Sequence, residues 1–320
     1  MKRTAIIGMV VGLALAATLL LRNDVRGIGE TLLGVGWWIF LIAALHLPQT
    51  LFAVLGWRAL FDQPPPGLWM LYRIRWGRDS INTLLPVAKL GGDFVRARLL
   101  SRRGETVALA ASSTVVDISI EVLTQIAFTL GALVLLLASS HVQDASQIAV
   151  GACAGGVIAA VTLIGAQRLG ALKLIDRLAA RGGIWSRLNI LSGLHADVAD
   201  LYQRPKRISL SAACHFTAWF LGTFETFAAI ELVGLHATVR EALIIEALGH
   251  AVRAAGFAIP GAMGVQEGGY LVICAMFGIG PEQALALALI HRIRELILGV
   301  PGLLVWQQME KRKGPVKAAA

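Results

Sequence analysis

Ile81-Asn-Thr-Leu-Leu-Pro-Val-Ala-Lys-Leu-Gly-Gly-Asp-Phe-Val-Arg96 places a proline, a glycine pair, an acid and an arginine close together in a very apolar chain. Its informative positions are Asn82, Pro86, Gly91, Gly92, Asp93 and Arg96. The pattern returns as Ile259-Pro260-Gly261, leading through Gly264 to Glu267-Gly268-Gly269, and in both copies proline and acid stand seven residues apart. Proline and glycine interrupt helices. At membrane depth the backbone they free must find partners in protein or in a water-filled cavity, so such breaks are kept mainly where they line a site. Two helix breaks beside carboxylates therefore point to a substrate path in a membrane protein.

Working outward, composition supports the same class. The 320 residues are 56% hydrophobic and 15% charged, with a mean hydropathy of +0.69. A single aqueous core cannot hide that much apolar surface. Several apolar runs reach the roughly 20 residues needed to cross about 30 Å of hydrocarbon. The reading is an all-α polytopic membrane protein with about eight transmembrane helices, near 4–21, 33–60, 107–138, 147–166, 208–233, 241–259, 264–279 and 282–307. Some of these segments are expected to be broken or re-entrant. Residues 1–320 form one integral membrane domain: a first half at 1–166, a cytoplasmic amphipathic connector at 167–207, a second half at 208–309 and a basic tail at 310–320. The start of the chain shares features with a secretory signal, including small residues at Ala14 and Ala16. Its apolar run continues to Leu21 and further spans follow, so it is read as a retained helix.

Lys and Arg favour the cytoplasmic side. The N-terminal pair, 62–105, 167–207 and the tail after 310 hold 2, 8, 8 and 4 of the 29, whereas the opposite loops hold Arg22, Arg26 and Arg240. Both termini are accordingly expected in the cytoplasm, with the chain in a bacterial inner membrane. The net charge of +9 is explained by topology and by attraction to anionic headgroups, without a nucleic-acid partner. Cys153, Cys214 and Cys274 lie far apart in apolar runs and read as buried small hydrophobes.

Ionisable groups inside the expected spans carry the functional signal, since each costs about 3 kcal/mol or more at the bilayer centre unless paired or wet. Asp117 and Glu121 share one helix face, as do Glu246, His250 and Arg253. Glu225 and Glu231 mark the fifth span; Arg292, Arg294 and Glu295 follow His291 in the last. Acids of the third and fifth spans are expected to pair with bases of the sixth and eighth. No nucleophile elbow, zinc-protease helix, diphosphate motif or Walker loop is present. No metal, cofactor or catalytic residue is assigned, and the protein is not read as an enzyme. The glycine pairs are expected to permit tight turns and close helix approach.

The run Ser80 to Leu100, the later IPGAMGVQEGGYLV and HRIRELILGVPG resemble the flippase-like family that includes the transmembrane domain of lysylphosphatidylglycerol synthase. The resemblance covers nearly the whole chain and is greatest to the branch associated with hopanoid biosynthesis. It implies an inner-membrane helical protein that moves or presents polar lipids, with lipid-synthesising enzymes as potential partners. Lipid lysylation is not expected, because no soluble globular unit follows residue 310. Carried over residue by residue, the family pattern selects Asn82, Pro86, Gly92, Asp93, Arg96, Asp117 and Glu121, then Pro260, Gly261, Gly264 and Glu267, with Arg292, Arg294 and Glu295. The family more often has Glu where this chain has Asp93.

Together these residues suit a lipid with a charged or hydroxylated head, whose tails stay in the bilayer while the head follows a polar groove. Arg96, Arg253 or Arg292 would hold a phosphate; Asp93, Glu121 and Glu267 would hold an amine, hydroxyls or a coupling proton. An intramembrane lipid-modifying enzyme and a non-catalytic scaffold for lipid synthesis are the competing readings. The paired motifs also suggest a duplicated unit offset by 174 residues, either parallel or inverted.

Overall fold

A computed structural model describes residues 2–62, 64–85, 91–138, 194–256 and 259–311. Pro86, Cys153, the expected span at 147–166, residues 167–193 of the connector and the tail beyond Lys311 lie outside the described residues. Among those described, all regular structure is helical: α1 (Lys2–Leu21), α2 (Val25–Val35), α3 (Ile39–Arg58), α4 (Leu68–Leu84), α5 (Gly91–Ser101), α6 (Val107–Leu137), α7 (Leu194–Tyr202), α8 (Pro205–Leu232), α9 (Val239–Ala255), α10 (Val265–Ala275) and α11 (Pro281–Lys311). Local chemistry sets several starts. Thr106 accepts a hydrogen bond from the Leu109 amide at the head of α6, Thr238 and Glu241 form a capping box on α9, and Pro205 opens α8.

The stretch Val25–Arg58 and α6 are each long and apolar enough to cross a bilayer. Helices α8 and α11, 28 and 31 residues long, extend about 42 and 46 Å at 1.5 Å per residue, but their inner faces carry ionisable groups. The expected span at 33–60 is jointed: Gly36, at φ +49°, ends α2, and a 3₁₀ turn leads into α3.

Two expectations need correction. The segment 62–105, read as a cytoplasmic connection because of its charge, folds into α4 and α5 inside the bundle, with Arg75, Asp93 and Arg96 buried. The expected span at 264–279 is the eleven-residue α10, about 17 Å long and too short to cross.

Among the described residues, α3–α6 and α8–α11 follow one another in opposite directions, as in an inverted repeat. Helices α5 and α10 begin 174 residues apart, at Gly91 and Val265, and α6 and α11 do so at Val107 and Pro281. The corresponding helices α3 and α8 run antiparallel, because Gly56 lies against Ser211 and His215 while Gln49 and His46 reach Glu225. Against α8, α6 runs parallel, pairing Asp117 with His215 and Phe128 with Phe220. Helix α4 descends along α11 in the opposite sense, with Gly77 at Trp306, Ser80 at Gly302 and Leu84 at Gly299. By the same relation α9 opposes α6, where Thr129 meets the Ala247 carbonyl and Arg240 the Leu135 carbonyl.

Two apolar clusters mark the ends of the bundle. One joins Leu60, Leu71, Leu100, Ala110, Leu201 and Met309, gathering the ends of α3, α5 and α11 with the starts of α4 and α6. The other joins Val35, Leu136, Ala229, Ala242, Cys274 and Ala284. Hence α4 and α5 form a hairpin that leaves and returns to the first face, and α9 and α10 form one that leaves and returns to the second. The end of α4 meets the turn before α10: a side chain at Gly261 would lie 3.5 Å from the Thr83 carbonyl oxygen. Helix α1 lies along the second tip, with Leu15 against Gly264 and Leu19 against Gly268. In lipid, helices associate through close packing and polar contacts. Gly302 does this for α4 and α11, since any side chain there would overlap Ser80 and Trp76.

Candidate functional site

Each hairpin carries a buried charge cluster. In the first, Arg75, Arg78, Asp79 and Asn82 recur every three or four residues along α4 and so share one face. Arg78 Nε donates to Asp93 Oδ1 at 2.7 Å, Asn82 Oδ1 accepts from the Gly92 amide at 2.8 Å, and Arg75 Nη2 donates to Glu121 Oε1 at 2.6 Å. Gly92 is required by this approach, because a side chain there would overlap the Arg78 carbonyl and the Asn82 amide. Arg96 is 0% exposed. It donates to Asp117 Oδ2 at 2.6 Å and to the Thr114 carbonyl at 2.9 Å, and its guanidinium lies 4.5 Å from the ring centre of Trp57. The other oxygen of Asp117 is 2.9 Å from His215 Nε2, and Arg75 Nη1 lies 3.5 Å from Oδ2.

The second cluster surrounds the other hairpin. Glu267 sits in the first turn of α10, where Oε2 accepts from the Gly264 amide at 2.6 Å and Oε1 from Arg292 Nε and Nη2, each at 3.2 Å. Arg292 also reaches Glu295 Oε2 at 3.3 Å and the Gly261 carbonyl at 2.5 Å. Arg253 pairs with the other side of Glu295. Glu225 takes Arg294 Nη1 at 3.0 Å, Gln49 Nε2 at 2.6 Å and His46 Nδ1 at 2.9 Å. Glu246 lies 2.9 Å from His250 Nε2 and accepts from Thr226 at 2.5 Å. A small, partly open recess lies among Glu246, His250, Arg253, Gln266, Tyr270, His291 and Arg294.

Helix α8 links the clusters: His215 joins the first and Glu225 the second, about 15 Å further along its axis. Each cluster contains three arginines and four carboxylates, Arg75, Arg78 and Arg96 against Asp79, Asp93, Asp117 and Glu121, and Arg253, Arg292 and Arg294 against Glu225, Glu246, Glu267 and Glu295. The structure therefore brings Asn82, Gly92, Asp93, Arg96, Asp117 and Glu121 together in one place, and Glu246, His250, Arg253, Gly261, Gly264, Glu267, Arg292, Arg294 and Glu295 in another, with Pro260 opening the 3₁₀ turn at the second tip.

The pairing differs in part from expectation. Glu225 of the expected fifth span does meet Arg294 of the last. Asp117 and Glu121, however, take their bases from α4 and α5, because that hairpin fills the space beside α6. Glu231 lies instead with the exposed His236. Sequence reasoning left out Arg75, Arg78, Asp79, His215, His46 and Gln49. The α4 residues had a legible signal, a polar stripe at helical spacing through to Asn82; His215 and His46 are single polar residues in apolar runs.

Residues 5–302 match the family profile described as the lysylphosphatidylglycerol synthase TM region. The chain belongs to that family. No curated protein and no solved structure matches it significantly. Membership of this lysylphosphatidylglycerol synthase TM-region family makes the protein a membrane protein of a lipid-related family. The match takes in both hairpins and both charge clusters. Among the described residues no three His, Cys, Asp or Glu side chains are placed to hold a metal ion. What the arrangement offers is forked guanidinium donors for phosphate and carboxylates for amines or hydroxyls, set inside an apolar bundle.

Proposed function

We propose that the protein moves polar lipids between the leaflets of a bacterial inner membrane, passing the headgroup between the two hairpins while the tails remain in lipid. The observation that supports this reading is that the helix pairs α4–α5 and α9–α10 enter the bundle from opposite ends, each beside a buried charge cluster. Broken segments at a repeat interface, near the middle of the bundle, suit alternate opening to either side. A headgroup phosphate would exchange for the carboxylate partners of Arg96, Arg253 or Arg292, while amines or hydroxyls would exchange for the arginine partners of Asp93 and Glu267. The lipid leaves chemically unchanged.

Orientation follows from charge. Arg98, Arg102, Arg103, Arg204, Arg207 and Lys311 gather at the first face, against Arg22, Arg26 and Arg240 at the second. This supports a cytoplasmic first face, where α1 begins and α11 ends. Purified protein in liposomes, given fluorescent anionic, zwitterionic and hopanoid lipids, tests the proposal. Loss of leaflet protection for one headgroup class, abolished in the folded Asp93→Ala, Glu267→Ala double variant, is the expected result. Unchanged movement in that variant would remove these acids from the path. No movement of any lipid would overturn transport, and the lipid extract would then distinguish a modifying enzyme, with a changed product mass, from a scaffold.

A further inference from the structure

The second cluster contains a feature that lipid binding alone does not require. From the recess inward, His250 Nε2 is 2.9 Å from Glu246 Oε1, and Glu246 Oε2 accepts from Thr226 Oγ1 at 2.5 Å. Thr226 Oγ1 stands 3.5 Å from His291 Nε2, His291 Nδ1 stands 3.5 Å from Glu225 Oε1, and Glu225 Oε2 is 2.9 Å from His46 Nδ1. Groups that can both give and take a proton thus succeed one another through α9, α8, α11 and α3, with wider steps of 3.5 Å on either side of His291. Both end members keep part of their surface, His250 at 28% and His46 at 29% side-chain exposure, whereas Glu246, His291 and Glu225 are buried.

Two further observations connect this chain to the recess. Gln266 is 3% exposed and lines the recess, and its Oε1 has no hydrogen-bond partner, leaving an acceptor for a donor such as water or hydronium. Arg294, which also lines the recess, places Nη1 2.6 Å from His46 Nδ1 and 3.0 Å from Glu225 Oε1. His46 Nδ1 cannot carry a proton and accept from Arg294 together. A proton arriving there therefore breaks the contact with the guanidinium, which is left with Glu225 Oε1 at 3.0 Å and Glu295 at 3.8 Å.

We propose that this chain is a proton relay that couples proton movement to headgroup passage, with Arg294 as the coupling element. The inference rests on the transport reading and adds its driving ion. Each hop balances: Thr226 gives its hydroxyl proton to the Glu246 carboxylate while taking one from His291 Nε2, and His291 regains a proton at Nδ1 from protonated Glu225, which is recharged by His46. Arg253, Glu295 and the Tyr270 hydroxyl also face this region and set its electrostatics.

The test uses full-length protein in liposomes loaded with a pH-sensitive dye and supplied with fluorescent phosphatidylglycerol, with and without an imposed pH gradient. Wild type should show faster lipid movement down the proton gradient, together with lipid-dependent proton flux. Glu246→Gln and His291→Gln should lose both responses to the gradient, with their folding established separately by monodisperse elution and unchanged helical circular dichroism. Lipid movement in wild type that ignores the gradient and carries no proton flux would overturn the relay and leave transport standing. If no lipid moves, transport fails; proton flux that is lost in Glu246→Gln would then still support a relay, and absence of flux would overturn it.

Discussion

Replacing Arg96 by Met removes a buried cation while keeping most of its aliphatic length, so the change reads charge rather than cavity. Arg96 is wholly buried, donates to Asp117 and the Thr114 carbonyl, and stacks on Trp57. Breaking a buried ion pair by removing one partner costs about 3–5 kcal/mol. Asp117 would retain His215 at 2.9 Å and Arg75 at 3.5 Å, which places R96M at the low end. The expected loss is about 3 kcal/mol, or roughly a hundredfold in the unfolding equilibrium. Asp117→Asn strips the countercharge from Arg96 and Arg75 and weakens the His215 contact, so it should cost more, about 5 kcal/mol. Because the two residues share one interaction, the double variant should fall about 2 kcal/mol short of the sum. Equilibrium unfolding in mixed detergent micelles, followed by tryptophan fluorescence, measures all three. An R96M protein within about 1 kcal/mol of wild type, or strict additivity in the double variant, would refute the assignment of Arg96 as the anchor of α5 on α6.

Other expectations concern the second tip and the topology. Gly264 has φ +76°, and a side chain there would lie 2.6 Å from Leu15 Cβ, so Gly264→Ala should cost about 2 kcal/mol or more in the same unfolding assay; a neutral effect would mean that α1 does not seat against this turn. In a cysteine-free background, single cysteines at Gly67 and His236, both exposed and on opposite faces, should react with a membrane-impermeant maleimide from opposite sides of the membrane. Labelling of both from one side would contradict the inverted repeat.

Much of the architecture is legible in the sequence because apolar length fixes where long helices lie: the expected 107–138, 208–233 and 282–307 correspond to α6 (Val107–Leu137), α8 (Pro205–Leu232) and α11 (Pro281–Lys311). The first hairpin is not legible by that route. Arg73, Arg75, Arg78 and Asp79 depress the hydropathy of α4 below that of a membrane segment, and their shelter comes only from helices distant in sequence. Its register, Arg75 to Arg78 and Asp79 to Asn82, nevertheless announces a polar helical face. The direction of the repeat depends on whether 62–105 enters the bundle, so the parallel and inverted alternatives separate only once α3 and α8 are seen to oppose each other. Glu267 and Asp93 are legible because each follows a helix break at the same spacing; their partners Arg292 and Arg78 are set by tertiary contact.

The most direct test of the central claim is to fasten α4 of the first hairpin to the neighbouring α11 and measure lipid movement. Leu84 at the end of α4 lies against Gly299 of α11, where an added Cβ would be 3.0 Å from Leu84 Cγ, so Leu84→Cys with Gly299→Cys brings two thiols within disulfide reach. In liposomes the reduced variant should move lipid, the oxidised variant should stop, and added reductant should restore movement. Lipid movement at the reduced rate while the cross-link is intact would contradict a path that opens by movement of the first hairpin.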